Sequence, residues 1–239
     1  MSKPRVLAIG DIHGCCKAFH ALLAAVAPKP GDIIVTLGDY VDRGPDSAGV
    51  LNTLCKIAGN PQQFGRLICL RGNHEQMMLE ARDGSGDLKV FLEVGGDATL
   101  ASYSPLDDEG RLEDVPAEHW ALLEHFCVDW YETDTHFFVH GGACPDSPLH
   151  EQPIYMLRWE VFNDPPPHDS GKIMICGHTP QTSGNPRNIG HAICLDTGAY
   201  REKKGGWLTC LDTVSGQVWQ SNESGETRRA WIDDFLEER

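Results

Sequence analysis

The sequence predicts an α/β fold with strands and helices in layers, and three observations carry that expectation. Short β-type apolar runs recur at residues 6–9, 33–37, 67–70, 137–139 and 173–176. They are nearly continuous rather than alternating, as in strands covered on both faces. Segments with helical spacing lie between them, and each run leads directly into glycine and a polar side chain able to hold a metal. Strand followed by helix, repeated, places a site outside the strand ends.

In chain order, the first helical face carries Phe19, Leu22, Leu23 and Val26, and the second carries Val50, Leu51 and Leu54. A third helix starts at His74-Glu75 and carries Met78 and Leu79. A fourth, from Pro116, carries Trp120, Leu123 and Phe126. Two stretches read as surface insertions that shape the rim of a cleft: residues 83–115, rich in Gly, Asp and Glu, and residues 145–171, a long loop stiffened by Pro165-Pro166-Pro167. Strand-like runs follow at 192–195 and 207–211, then a polar terminal segment over 231–238. Neither insertion has the composition of a separate unit, so residues 1–239 read as one domain.

The chain has 239 residues, 41% hydrophobic and 23% charged, the mix of an ordinary globular protein. Twenty basic against 35 acidic residues leave a net charge of −15, the wrong balance for gripping a nucleic-acid backbone. The apolar run after the basic Met1–Arg5 opening stops at Ile9, too short for a signal-peptide core, and no stretch approaches the roughly 18 apolar residues of a membrane span. Nine cysteines without a C-x-x-C pair read as reduced, mostly buried thiols of a cytoplasmic protein. Cys15 and Cys16 read as packing residues.

A divalent ion such as manganese, iron or zinc takes carboxylate oxygens together with imidazole nitrogens. Asp11 and His13 stand two apart just past a strand, so in extended backbone they point to one side. Asp39, Asn73, His140 and His178 repeat the placement after four further runs. One such placement is unremarkable; five make a metal site the better reading. His20, His119, His125, His136, His150 and His168 sit in helical or loop context and read as packed or solvated. His191 competes with His178 for the last place, and the Gly177-His178-Thr179 sequence decides for His178.

GDIHG, GDYVDRG, RGNHE, HGG and GHT, in this order from Gly10 to Thr179, resemble the signature set of the PPP family of metal-dependent phosphoprotein phosphatases, in its compact bacterial and phage-like form. The resemblance implies a calcineurin-like metallophosphoesterase fold, a central β-sandwich flanked by helices, holding two divalent ions, manganese foremost. By motif position, Asp11 and His13 bind the first ion, Asp39 bridges both, and Asn73, His140 and His178 complete the second. It further implies hydrolysis by direct attack of a metal-bridging hydroxide, His74 as general acid, and Asp42 holding its imidazole charged. Arg43 and Arg71 then grip phosphate, with Arg158 a looser third.

The expected activity is therefore a phosphoprotein phosphatase acting on phosphoserine, phosphothreonine or phosphotyrosine in a protein or peptide. A symmetrical dinucleoside-tetraphosphate hydrolase shares such a site and is the nearest rival; the full GDYVDRG and RGNHE forms are taken to favour the phosphatase. Phosphodiesterases of the wider superfamily carry G-H-x-H, where this chain has Pro180. An inactive binding module would show a broken ligand set, and none of the residues above departs from the pattern.

Overall fold

Both faces of the apolar runs are buried, and that makes them strands. The computed structural model describes residues 4–104, 110–201 and 205–237. Its strands are β1 (Val6–Ile9), β2 (Ile33–Thr36), β3 (Arg66–Cys69), β4 (Trp130–Glu132), β5 (His136–Val139) and β6 (Ile173–Cys176). They continue as β7 (Arg187–Asn188), β8 (Ala192–Cys194), β9 (Leu208–Asp212), β10 (Gln217–Ser221) and β11 (Thr227–Trp231). One sheet has the order β11-β10-β9-β1-β2-β3 and the other β4-β5-β6-β8-β7. Within them β1-β2-β3 and β5-β6-β8 are parallel, and the flanking strands pair antiparallel.

Alternate side chains then serve different cores. Val6, Ala8, Val35 and Leu37 of the first sheet meet Phe138, Ile175 and Ile193 of the second. Leu7 and Ile9 point the other way, onto Phe19 and Leu22 of α1 (Cys16–Val26) and Val50, Leu51 and Leu54 of α2 (Ser47–Ala58). On the far side, Phe137 and Val139 pack with Leu157. Each fully buried Leu or Phe contributes on the order of 1.5–3 kcal/mol, several times any strand propensity, so layering decides the fold. The result is the expected helix-flanked β-sandwich.

The remaining helices are α3 (Pro61–Phe64), α4 (Asn73–Asp83), α5 (Leu88–Phe91), α6 (Asp97–Ala101), α7 (Ala117–Ala121) and α8 (Ile154–Trp159). Several expectations change here. The helix from Pro116 passes into a π-helical turn, Leu122–Phe126, and that register shift turns Phe126 outward to 41% exposure. Residues 83–115 are not simply a rim: Phe91 and Leu100 enter the main core, and a kink at Gly95, within Leu92–Gly96, joins α5 to α6. Within 145–171, α8 stands where a loop was expected. The C-terminal β10–β11 hairpin escapes the sequence because β11 is mostly exposed and polar. Met1–Lys3, residues 105–109 of the first insertion and Glu238 of the terminal segment lie outside the described residues. Among those described, no helix is long and apolar enough to cross a membrane.

Candidate metal centre

Parallel strands deliver their C-terminal ends to one edge, and the two parallel triplets do so side by side. Asp11 follows β1, Asp39 follows β2, Asn73 opens α4 beyond β3, His140 follows β5 and His178 follows β6. The chain must turn sharply at these points. His13 (φ 46°), Asp39 (52°), Asp42 (72°), Arg43 (71°) and His178 (65°) all adopt left-handed backbone. Such strain costs of order 1–3 kcal/mol per residue and persists only where surrounding bonds enforce it.

Those bonds are present. The Ile12 and His13 amides donate to the Asp39 carbonyl at 3.0 and 2.8 Å. The buried Glu75 carboxylate accepts from Asp39 N (2.8 Å), Gly72 N (2.9 Å) and Tyr40 N (2.7 Å), with Val41 N at 3.4 Å. Close approach does the rest: a Cβ at Gly72 would overlap Asp39 Oδ1, and one at Gly177 would overlap Asp11 Oδ1.

The side chains converge in two groups that share Asp39. Asp39 Oδ2 lies 3.4 Å from His13 Nε2 and 3.9 Å from His74 Nε2. Asp39 Oδ1 lies 3.3 Å from His140 Nε2, and Asn73 Oδ1 is 3.0 Å from both His140 Nε2 and His178 Nδ1. One carboxylate oxygen thus serves each group, which is what a bridging ligand requires. Asp11 is buried beside them, its carboxylate accepting from His178 N at 2.9 Å. Candidate ligand atoms of His13, Asp39 and His74 lie within 4.8 Å of one another, and so do those of Asp39, His140 and His178. His74 therefore stands in the first group as closely as any ligand, although its motif position reads as an acid. His191 bonds the Pro165 carbonyl through Nε2 and takes no part.

Imidazole tautomers favour cation binding. A carbonyl can only accept, so His13 Nδ1, 2.8 Å from Val41 O, and His140 Nδ1, 2.8 Å from Leu37 O, must carry protons. In the neutral ring each Nε2 then carries the lone pair on Asp39's side, the arrangement by which outer contacts orient metal-ligating histidines. Burial drives the His13 pKa well below its usual value. Burial, then His140, brings His178 down to about 4. Burial, then Asp196 and Asp39, pushes the Asp11 carboxyl up. Burial opposes a charge on His140, but Asp39 outweighs it and raises its pKa. Imidazoles facing crowded buried carboxylates are the donor set that manganese, iron or zinc fits.

Beside the first group, His74 Nδ1 meets Asp42 Oδ2 at 2.6 Å. Asp42 Oδ1 accepts from Thr99 Oγ1 at 2.8 Å, and Asp42 N donates back to that hydroxyl at 2.7 Å. Burial opposes a charge on His74, but Asp39 and the bond to Asp42 outweigh it and raise its pKa.

The three arginines divide. Arg43 reaches the centre, where Nη1 contacts His13 Nε2 at 2.7 Å and the guanidinium lies 4.9 Å from the centroid of the Tyr200 ring. Arg71 and Arg158 line a neighbouring cavity of about 580 Å³ whose lining includes none of the six candidate ligands. Arg71 Nη2 donates to the Leu123 and Glu124 carbonyls, and Arg158 is paired with Asp129 at 2.6 Å.

Sequence reasoning missed Thr99, gave Glu75 no role, and passed over Asp196, which is 1% exposed with Oδ2 unpartnered. Asp196 had a signal, since it follows the apolar run 192–195 as the candidate ligands follow theirs.

A family model described as calcineurin-like phosphoesterase matches residues 4–205. Serine/threonine-protein phosphatase 1 of Salmonella typhimurium is 40% identical over 93 residues, covering 38% of this chain and 39% of that protein. The symmetrical bis(5'-nucleosyl)-tetraphosphatase of Delftia acidovorans is 43% identical over 156 residues, covering 65% of this chain and 50% of that protein. The chain thus spans half or less of the length of these curated relatives. Both activities are named among these relatives, so likeness to them does not separate phosphatase from tetraphosphatase. A solved protein serine/threonine phosphatase from Saccharomyces cerevisiae superimposes with a TM-score of 0.62 at 17% identity, covering 95% of this chain and 79% of that one, a likeness of fold. Family model, sandwich and converging strand ends agree, and the chain belongs to the calcineurin-like phosphoesterase family.

Proposed function

We propose that the chain is a metal-dependent phosphomonoesterase whose substrates are phosphorylated serine, threonine or tyrosine side chains of proteins. In this reading Asp11, His13 and Asp39 hold one divalent ion, and Asp39, Asn73, His140 and His178 hold a second, with manganese the first choice. Bound there, two such ions supply a nucleophile from water and offset charge on the phosphoryl oxygens. His74 donates a proton from Nε2 to the departing oxygen, while Asp42 holds Nδ1 and favours the charged ring. Arg43, on a flexible stem, exchanges His13 for a phosphate oxygen.

The observation that carries this reading is the buried Asp42–His74 pair. An alkoxide leaving a phosphomonoester must be protonated, whereas a nucleoside diphosphate leaves readily as an anion, so a built general acid matters more for the first. A second reading, symmetrical hydrolysis of a dinucleoside tetraphosphate, is favoured by the adjacent cavity, where further phosphates would draw Arg71 from its carbonyls, Arg82 from Glu124 and Arg158 from Asp129. Phosphoserine peptide, phosphotyrosine peptide and diadenosine tetraphosphate, assayed side by side with added manganese, separate them. A kcat/KM at least tenfold higher for one of the peptides is expected; a reversed order establishes the second reading, and no turnover of any of the three removes both.

A further inference from the structure

Among the described residues, Asp196 occupies the one parallel strand end left without a role. Five of the six parallel strands, β1, β2, β3, β5 and β6, each lead into a candidate ligand, and β8 leads into Leu195-Asp196. The placement is tight. Gly10, which precedes Asp11, abuts the Leu195 carbonyl and the Asp196 amide so closely that a Cβ there would overlap the Leu195 oxygen. Asp196 is fixed on two sides, its carbonyl accepting from Gln181 N at 2.8 Å and its Oδ1 from Gly198 N at 3.0 Å. Oδ2 is buried and has no hydrogen-bond partner.

An unpaired carboxylate oxygen in a buried site costs several kcal/mol unless a cation or donor answers it.

We propose that Asp196 is a seventh member of the metal centre, serving the cation held by Asp11, His13 and Asp39 and raising the protein's affinity for it. The proposal rests on the two-ion reading above. Its carboxylate is retained, against its desolvation cost, because it answers the cation's charge rather than because it supports the fold. That makes two effects of opposite sign. Removing the charge should weaken the bound ion while relieving repulsion in the protein without one.

The test uses manganese as the probe. Wild type, Asp196→Asn and Asp196→Ser are stripped with chelator, titrated with Mn²⁺ by calorimetry, and melted with and without the ion. Both replacements can still accept from Gly198 N, and the smaller serine covers the case in which the amide distorts the turn. Manganese affinity should fall about 10–100-fold, the range for groups that orient or support metal ligands. The melting temperature of the stripped protein should stay level or rise. Unchanged affinity overturns the proposal, and so does a stripped variant that melts well below stripped wild type, since that marks a role in folding. Wild type that takes up no manganese sinks the two-ion reading itself, a result distinct from either.

Discussion

Asp42 receives His74 Nδ1 at 2.6 Å on one carboxylate oxygen and the Thr99 hydroxyl at 2.8 Å on the other, so nothing in this buried pair is free to rotate. Fixing Nδ1 aims Nε2 at Asp39 Oδ2, 3.9 Å away. Replacing His74 with Asn should cut kcat for an alkyl phosphate by roughly 10²–10⁴. The loss should be much smaller for para-nitrophenyl phosphate, whose phenoxide needs little help to leave. Equal losses on both substrates, with metal content unchanged, would remove the acid role.

The same pair sets a pH dependence. The His74 pKa is raised, with Asp39 and Asp42 outweighing burial, so the charged ring persists above its ordinary value near 6.5. Turnover of an alkyl phosphate should hold until pH passes the raised value, then fall as the proton is lost. Asp42→Asn removes one of the two charges responsible, and the basic limb of kcat/KM should move to lower pH. A limb that stays in place shows that another group controls it.

Thr99 anchors Asp42 from across 57 residues of sequence. Thr99→Val removes the hydroxyl and leaves Asp42 N, which donates to it at 2.7 Å, with only Ser47 Oγ at 3.2 Å. Loss of a buried partner of this kind costs about 1–3 kcal/mol, or several degrees in melting temperature for a chain of this size. Turnover should fall with it while bound manganese, measured by elemental analysis, is unchanged. A variant with native melting and native turnover would show that the 83–115 stretch does not steady the acid.

The strand-end residues were legible because a two-sided buried strand leaves a plain signature, an unbroken apolar run, and the next polar residue must sit at the sheet edge. Asp11, Asp39, Asn73, His140 and His178 were found that way, and Asp196 fits the same rule but lies behind a run read only as a strand. Thr99 left no such trace. It reaches Asp42 from beyond a kink, where Gly95, at φ 118°, breaks the 3.6-residue spacing by which helices are read. The arginines show a different limit: motif spacing names Arg71 and Arg158 but cannot say that Leu123, Glu124 and Asp129 would engage their guanidinium groups.

Glu75 ties α4 to the Asp39 loop through four backbone amides, and a carboxylate has acceptor sites for all of them. Glu75→Gln keeps the size but turns one acceptor into a donor, which must face either Tyr40 N and Val41 N or Asp39 N and Gly72 N. Two buried donors are then opposed, at a cost of about 3 kcal/mol or more. The left-handed turn at Asp39 loses its clamp as well, so both melting temperature and manganese binding should fall. Stability lost without any change in metal affinity would confine Glu75 to the fold.

The two oxygens of Asp39 face different ligand groups, Oδ2 toward His13 and Oδ1 toward His140. Asp39→Asn leaves a single oxygen, so whichever way the amide settles, one group receives an NH2 that repels a cation and the other loses half its shared negative charge. Elemental analysis should then show both ions depleted, in contrast to His178→Ala, which should deplete one. His178 meets Asn73 and not His13, so the ion beside His13 keeps its own ligands in that variant. If Asp39→Asn retains one full equivalent of manganese, the two groups do not share this carboxylate and the site holds its ions independently.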